Sequence, residues 1–198
     1  MNKNRPSISV AMTVYNGERY LKEQIDSILK QLSETDELVI SLDPSKDKSE
    51  EILESYARKD NRIKVLKGPG KGVIKNFEHA LLCCKNDIIF LCDQDDIWHD
   101  DKVRTIVKGF CDPDVILQVH NARIIDADGV PKKGKETFFD VRKSGEGLLK
   151  NIYKNSFIGC CMAFRKKLLE DCLPFPRRIP MHDQWIGLVA QFNGKVVF

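Results

Sequence analysis

Hydrophobic and polar positions along the chain follow two patterns, one typical of buried strands and one typical of amphipathic helices. Short apolar runs closed by turn-forming residues predict strands, and apolar residues at helical spacing predict helices. The predicted strands are 7–14, 37–42, 63–66 and 88–92, and helices are predicted after Glu18, Ser49 and Gly72. Strands that alternate with helices in this way favour a doubly wound, largely parallel α/β sheet.

The pattern becomes less regular after Trp98. It predicts helices over 102–110, 165–172 and 182–192, and strands over 115–119, 122–125 and 157–164. A turn is expected at 126–129, and the polar segment 131–147 suits a flexible loop or a hairpin. Residues 196–198 read as a strand, and an apolar strand at the very end predicts that the sequence is a piece of a longer protein. We expect one domain over residues 1–198, truncated at its C-terminal end.

Composition narrows the class of protein. The 198 residues are 42% hydrophobic and 31% charged, as in a globular domain. The net charge of +3 suits anionic substrates but is too small for nucleic-acid binding. No apolar run reaches the ~18 residues of a membrane span and the polar N-terminus does not resemble a signal peptide, which predicts a cytoplasmic location. The seven cysteines include no CxxC pair, so we expect reduced thiols.

The apolar run 88–92 leads directly into an acidic cluster, Asp93-Gln94-Asp95-Asp96. If the strand alternation continues, Asp93 and Asp95 point the same way, and their repulsion calls for a cation. Mg²⁺ typically binds one or two carboxylates together with phosphate oxygens, so the cluster predicts a metal–diphosphate site. The alternative is a loop of solvated acids or helix caps.

Polar residues also follow the three preceding strands. They are Thr13, Tyr15 and Asn16 after the first, Asp43 and Asp47 after the second, and the loop 68–72 before Asn76 after the third. Because parallel strands end at one edge of a sheet, these loops should converge with the acidic cluster. The glycine-rich loop matches neither GxxxxGK[ST] nor GxGxxG, so it carries no nucleotide fingerprint by itself.

Taken together, the motifs resemble family 2 glycosyltransferases of the GT-A fold, and bacterial rhamnosyltransferase-like enzymes in particular. The matching segments are 10–16, 43–47, 72–77, 93–98 and the His-Asp-Gln-Trp sequence at 182–185. The resemblance implies a Rossmann-like, mostly parallel central sheet flanked by helices, with a smaller mixed-strand region on the acceptor side. It assigns nucleotide-sugar binding to residues 1–98 and the acceptor side to residues 99–198.

The resemblance also implies a role for individual residues. The nucleotide-sugar-binding residues would be Thr13, Tyr15, Asp43, Asn76 and Asp93, with Asp43 bonded to a uracil or thymine ring. Asp95, helped by Asp93, would bind Mg²⁺ or Mn²⁺, and Asp183 would be the general base. His182 and Trp185 would support the base or the acceptor. The family often has two acids at the end of the second strand, whereas here Leu42 precedes Asp43, which removes one ribose contact.

The activity implied is metal-dependent, inverting transfer of a sugar from a UDP- or dTDP-linked donor. The acceptor would be a hydroxyl of a glycan or a lipid-linked molecule in cell-surface polysaccharide synthesis. Basic clusters at 132–135, 165–167 and 177–178 are typical of solvated faces. In a family that works on lipid-linked acceptors, they also predict peripheral contact with the inner face of the cytoplasmic membrane.

The sequence also allows purely structural roles for these residues and other functions for the chain. Asp183 could cap a helix, Trp98 and Trp185 could be core residues, His182 an ordinary partly buried histidine, and Asp96 a loop or capping residue. The whole chain could be a non-catalytic sugar-nucleotide-binding domain. Asp93-Gln94-Asp95-Asp96-Ile97 also resembles the DxDx[TV] signature of haloacid-dehalogenase-type phosphatases, although that signature follows the first strand and here three strand–helix units come first.

Overall fold

The computed structural model describes residues 5–132, 134, 136–142, 145 and 147–198. The strands are β1 (Ile8–Val14), β2 (Glu37–Leu42), β3 (Ile63–Lys67), β4 (Ile88–Cys92), β5 (Val115–Val119), β6 (Met162–Arg165) and β7 (Lys195–Val197). The helices are α1 (Leu21–Leu29), α2 (Ser49–Ala57), α3 (Val73–Leu82), α4 (Lys102–Gly109), α5 (Phe138–Arg142), α6 (Leu148–Tyr153), α7 (Leu169–Cys172) and α8 (His182–Asn193). Single 3₁₀ turns lie at Gly159–Cys161 and Lys166–Leu168.

The strands form one mostly parallel sheet. Its order among the described residues is β3-β2-β1-β4-β6-β5-β7. β1 is parallel to both β2 and β4, with Thr13 beside Ser41, whereas β6 runs antiparallel to β4 and β5. The α/β class, with a parallel first half and a mixed-strand second half, is therefore confirmed.

Apolar helices cover both faces of this sheet. Alternate residues of β1 face opposite sides, so Val10 and Met12 pack against α1, α2 and α4, and Ala11 packs against α3, α7 and α8. Every residue of β1 and β4 is buried. This continuous burial explains why the sequences of the central strands are uninterrupted apolar runs. Polar side chains therefore lie at the carboxyl ends of these strands.

Three predictions for the second half were wrong. Residues 122–125 form no strand but two isolated bridges, Arg123 to Thr137 and Ile125 to Pro131, within an irregular hairpin. Within 157–164, only the β6 residues form a strand. The strand is short because the backbone turns at Gly159, whose N–H donates to Asp183 on α8. The segment 131–147 contains the unpredicted helix α5, and α6 follows it.

The basic clusters are only partly solvated. Arg165 is a structural residue: its guanidinium donates to the carbonyls of Val115 and Phe110 at 2.8 Å each. Arg177 and Arg178 are exposed, and Lys133 and Lys135 lie outside the described residues. Every helix in the described ranges is too short or too polar to cross a bilayer. Peripheral membrane contact stays a prediction.

Gly68 illustrates how closely the loops at the carboxyl edge approach one another. A Cβ at this position would lie 2.5 Å from Asp43 Oδ1 and 2.8 Å from Asp43 N. We expect Gly68→Ala to lower the free energy of unfolding by about 1–3 kcal/mol, because backbone has to move to admit the methyl group. Urea denaturation would measure this, with Lys71→Ala, an exposed change in the same loop, as the control. Equal stability of the glycine variant and the wild type would contradict the close packing.

Candidate active site

A cavity of about 610 Å³ opens at the carboxyl edge of the sheet, where β1, β2 and β4 end and α3 begins. Residues from all four loops line it, namely Thr13, Val14, Tyr15, Asp43, Gly70, Gly72, Val73, Asn76, Asp93, Gln94 and Asp95. The predicted convergence of these loops is therefore present. Among the predicted site residues, Asp183, His182 and Trp185 do not belong to this lining.

Hydrogen bonds join the loop after β1 to its two neighbours. Tyr15 N donates to Gln94 Oε1 at 2.9 Å and Gln94 Nε2 donates back to Tyr15 O at 3.2 Å. On the other side, Asn16 N donates to Ser45 Oγ at 3.0 Å, and Lys46 N donates to Asn16 Oδ1 at 2.8 Å. Sequence reasoning missed Gln94, whose only signal was its place between two aspartates. These hydrogen bonds hold the loop after β1 to both of its neighbours.

Two buried polar side chains form the floor of the cavity. Asp43 is 6% exposed and its Oδ1 accepts a hydrogen bond from Gly70 N at 2.8 Å. Asn76 is 2% exposed and its Nδ2 donates to Ser41 O at 3.1 Å. Within the described part of the chain, Asn76 Oδ1 has no hydrogen-bond partner. Buried polar atoms are nearly always satisfied, so this floor suits a ligand that brings hydrogen-bond donors.

The acidic cluster departs from the predicted alternation. β4 ends at Cys92 and Asp95 lies in a turn. The prediction that strand alternation continues through Asp93 and Asp95 was therefore wrong. Both residues nevertheless line the same cavity. Asp93 is partly buried and Asp95 is exposed. Burial, together with the negative charges of Asp96, Asp95 and Asp183, raises the pKa of Asp93 to about 7.

These residues fit a divalent cation. Across the described residues, no hydrogen bond or ion pair reaches the Asp93 carboxylate, in contrast to Asp60, which pairs with Arg62 at 2.6 Å. A partly buried carboxylate among like charges and without a cationic partner is costly, and a bound cation relieves that cost. Asp95 and Asp93 would hold such an ion at the cavity.

Asp183 lies in the first turn of α8. The helix begins at His182 with Met181 at the N-cap position, so Asp183 is not the capping residue. Its Oδ2 accepts from Gly159 N at 3.1 Å and its Oδ1 accepts from Asn155 Nδ2 at 3.4 Å. Its negative charge contributes to the raised pKa of Asp93. Gly159, which donates to Asp183, directly precedes Cys160, and the Cys160 thiol lies beside Asp93 and Asp96. No feature of the sequence pointed to Asn155 as a partner of Asp183.

His182 and Trp185 occupy the packing behind Asp183. His182 is 5% exposed and stacks on Phe77 with ring centroids 4.0 Å apart. Trp185 Nε1 donates to Cys172 O at 3.1 Å while its ring packs against the cluster around α3 and α8. Trp98 is a core residue, 3% exposed and packed on Phe90. The contacts of His182 and Trp185 are those of supporting residues.

Burial gives His182 a distinct effect on stability. It lowers the pKa of the imidazole from 6.5 to about 4, because the charged form would lose its hydration. Between these pH values the unfolded chain binds a proton that the folded chain does not, so stability falls as the pH decreases through this window. The loss at the acid end should be on the order of 3 kcal/mol.

The measurement is the free energy of unfolding near pH 7 and near pH 4 for the wild type and His182→Leu. We expect the variant to lose less stability on acidification. The raised pKa of Asp93 acts with the opposite sign in this window, but it is common to both proteins and cancels in the difference. Equal slopes for the two proteins would contradict the prediction.

Comparison with known proteins places this geometry in a family. The chain matches the Glycosyl transferase family 2 model over residues 9–173. It is 28% identical over 173 residues to an uncharacterized glycosyltransferase of Nostoc sp., covering 84% of this chain and 53% of that protein. The chain spans about half the length of the curated relatives it matches.

Solved structures share the fold. Staphylococcus aureus TarS in complex with UDP-GlcNAc superposes with a TM-score of 0.75 at 23% identity, over 97% of this chain and 56% of that one. The mannosyltransferase PcManGT from Pyrobaculum calidifontis, in complex with GDP-Man and Mn²⁺, gives a TM-score of 0.74 at 19% identity, over 98% and 55%. The predicted GT-A fold is confirmed, the rhamnosyltransferase likeness stays a prediction, and the chain belongs to glycosyl transferase family 2.

Proposed function

We propose that this chain is the catalytic domain of an enzyme that transfers a sugar from a nucleoside-diphosphate sugar to a hydroxyl group, with a divalent metal and with inversion at the anomeric carbon. The observation that carries the proposal is the cavity of about 610 Å³, which combines a buried polar floor with carboxylates at its rim. Relatives of the same family are glycosyltransferases by name, and TarS and PcManGT were solved with UDP-GlcNAc and GDP-Man.

The floor and the loops would bind the nucleotide. Asp43, held by Gly70 N, presents a carboxylate that can accept from the N–H of a uracil or thymine ring. Thr13 and Tyr15 line the same wall, and Asn76 lies at the floor beneath them. We therefore assign donor binding to residues 1–98, and uridine or thymidine diphosphate is the nucleotide we expect.

The rim would face the diphosphate. Asp95 and Asp93 would hold Mg²⁺ or Mn²⁺, and such an ion stabilises the negative charge that builds up on a departing diphosphate. The Asp93 carboxylate has Asp96, Asp95 and Asp183 as negative neighbours, so its ionised form needs positive charge close by. The diphosphate would need the metal to bind, because the carboxylates alone would repel its negative charge.

Asp183 would take the proton from the attacking hydroxyl. Gly159 N and Asn155 Nδ2 orient its carboxylate, and α8 fixes its position next to the acidic cluster. A single general base, with no protein nucleophile at the sugar carbon, means one displacement and therefore inversion. The acceptor would approach from the side formed by residues 99–198, and a glycan or a lipid-linked acceptor fits the proposal.

The two competing functions differ in observable ways. A sugar-nucleotide-binding domain without activity would bind the nucleotide with metal but show no donor hydrolysis or transfer. A phosphatase would use Asp93 as a nucleophile and accumulate an aspartyl-phosphate. The family match disfavours the phosphatase, and the oriented Asp183 disfavours the inactive domain.

A thermal-shift screen tests the proposal directly. Uridine, thymidine and guanosine diphosphates and their sugars would be added with Mn²⁺, with Mg²⁺ or with a chelator. We expect stabilisation by uridine or thymidine diphosphate that depends on the metal, because a ligand that binds only the folded state raises the melting temperature. No response to any of these nucleotides with either metal would count against the proposed function.

A further inference from the structure

A second group of possible ligands shares Asp93 with the cavity lining and extends away from it to Asp96 and Cys160. Asp93, Asp96 and Cys160 each offer one ligand atom, and these atoms lie within 4.8 Å of one another. They come from two parts of the chain, the loop after β4 and the 3₁₀ turn before β6. Asp95 is not a member of the group.

The group is enclosed by the fold. Cys160 is 8% exposed. Burial raises the pKa of the neighbouring Asp96 carboxyl, whereas the charge of Lys102 and a hydrogen bond with the Cys160 thiol lower it. Asp96 caps no helix among the described elements, since α4 begins at Lys102 with Asp101 at its N-cap. Of the two sequence-based interpretations of Asp96, the loop residue is confirmed and the capping residue is wrong.

The positive charge of Lys102 lies close enough to Asp96 to lower the pKa of that carboxyl. Lys102 Nζ donates to the carbonyl of Cys160 at 3.0 Å and lies 4.2 Å from the centre of the Trp98 ring. No salt bridge joins it to Asp93 or Asp96 in the described structure. Asp93 thus stays without a cationic partner, although the other partly buried acids Asp36 and Asp60 pair with Arg5 and Arg62.

An entry path leads to the group from outside the nucleotide cavity. A second cavity, of about 670 Å³, is lined by Asp96, Cys160, Trp98 and Lys102, among others. An ion could therefore reach Asp96 and Cys160 without passing through the donor cavity. Two carboxylates and one thiol make a mixed oxygen and sulfur donor set, which suits Zn²⁺ or Co²⁺ better than the purely hard Mg²⁺.

We propose that Asp93, Asp96 and Cys160 form a second cation site, for an ion of borderline softness such as Zn²⁺, next to the site held by Asp95. Binding releases the proton of the Cys160 thiol to solvent and leaves a thiolate on the metal. Because Asp93 belongs to both sites, the two ions compete. The existence of the second site goes beyond the proposed function, whereas the competition rests on it.

The test uses Co²⁺ added to the metal-free protein, because a thiolate bound to Co²⁺ gives a charge-transfer absorption band that carboxylates do not give. We expect the band in the wild type, and its removal by one equivalent of Zn²⁺. Cys160→Ser should abolish the band and weaken Zn²⁺ binding, measured by titration calorimetry, by at least about tenfold. Cys111→Ser, a change at an exposed cysteine, is the matched control and should keep both signals.

Two aspartate variants separate this site from the donor-metal site. Asp96→Asn, which leaves every thiol intact, should weaken Zn²⁺ and shift or reduce the Co²⁺ band. Asp95→Asn should keep the band while losing Mn²⁺-dependent nucleotide binding. Melting temperatures of the metal-free variants show that each one is folded, and Asp96→Asn serves as the test if Cys160→Ser is not.

Absence of the band in the wild type, or its survival in folded Cys160→Ser, would overturn the proposal. Loss of the band in Asp95→Asn would show one shared site in place of two and would overturn it as well. A band without any nucleotide binding would refute the proposed function and leave the cation site standing.

Discussion

Replacing Asp183 by Asn should lower donor turnover by about 10²- to 10⁴-fold while nucleotide binding stays at its wild-type level. Asn keeps the size of the side chain and can still accept from Gly159 N, so the local structure of the α8 N-terminus should persist. What the variant loses is the ability to take a proton. Turnover would be followed as release of the nucleoside diphosphate, and binding by calorimetry with Mn²⁺.

The matched control for this experiment is Asp171→Asn, because Asp171 is an exposed aspartate on α7. It should leave both binding and turnover unchanged. Asn155→Ala adds a graded test. It removes the amide that donates to Asp183, together with the acceptor of Phe157 N, and we expect a smaller loss of turnover and no loss of binding. If Asp183→Asn weakened binding as much as turnover, Asp183 would be a structural residue of the donor cavity.

Asp95→Asn, in contrast to Asp183→Asn, should cause the loss of metal-dependent nucleotide binding itself. Asp95 is the exposed carboxylate at the rim of the cavity, where phosphate and metal would meet. Removing its charge should reduce affinity for the nucleoside diphosphate in Mn²⁺ by tenfold to 100-fold or more, on the order of the losses seen when metal sites are altered. With a chelator present, the variant and the wild type should bind equally weakly.

Asp100→Asn provides the control for charge alone, because Asp100 is an exposed acid on the segment that follows. It should bind the nucleotide like the wild type at every Mn²⁺ concentration. The result that would contradict the assignment is an Asp95 variant whose affinity still rises with Mn²⁺ as it does in the wild type. In that case Asp93 would be sufficient to hold the donor metal.

The first half of the fold could be predicted from the sequence because its signals are local. Each strand there is a short apolar run, each helix has an apolar face, and β4 runs directly into three aspartates within residues 93–96. Parallel pairing then brings the loops together without further information. The Glu37–Leu42 strand was predicted with the bounds that the structure shows.

The second half was less predictable because its structure depends on contacts between distant residues. The turn at Gly159–Cys161 forms where Gly159 N meets Asp183, 24 residues further along the chain, and an apolar run alone cannot show this. The grouping of Cys160 with Asp93 and Asp96 arises in the same way, from the antiparallel pairing of β6 with β4. The sequence could propose Asp183 only through the family resemblance.

The two hydrogen bonds between Tyr15 and Gln94 have a thermodynamic consequence. They join the loop that would contact the nucleotide to the loop that carries Asp93 and Asp95, so ordering one loop also orders the other. Nucleotide and cation should therefore bind with positive coupling, and by linkage each must raise the affinity for the other by the same factor. Gln94, which touches neither the sugar carbon nor the acceptor in this scheme, would set the size of that factor.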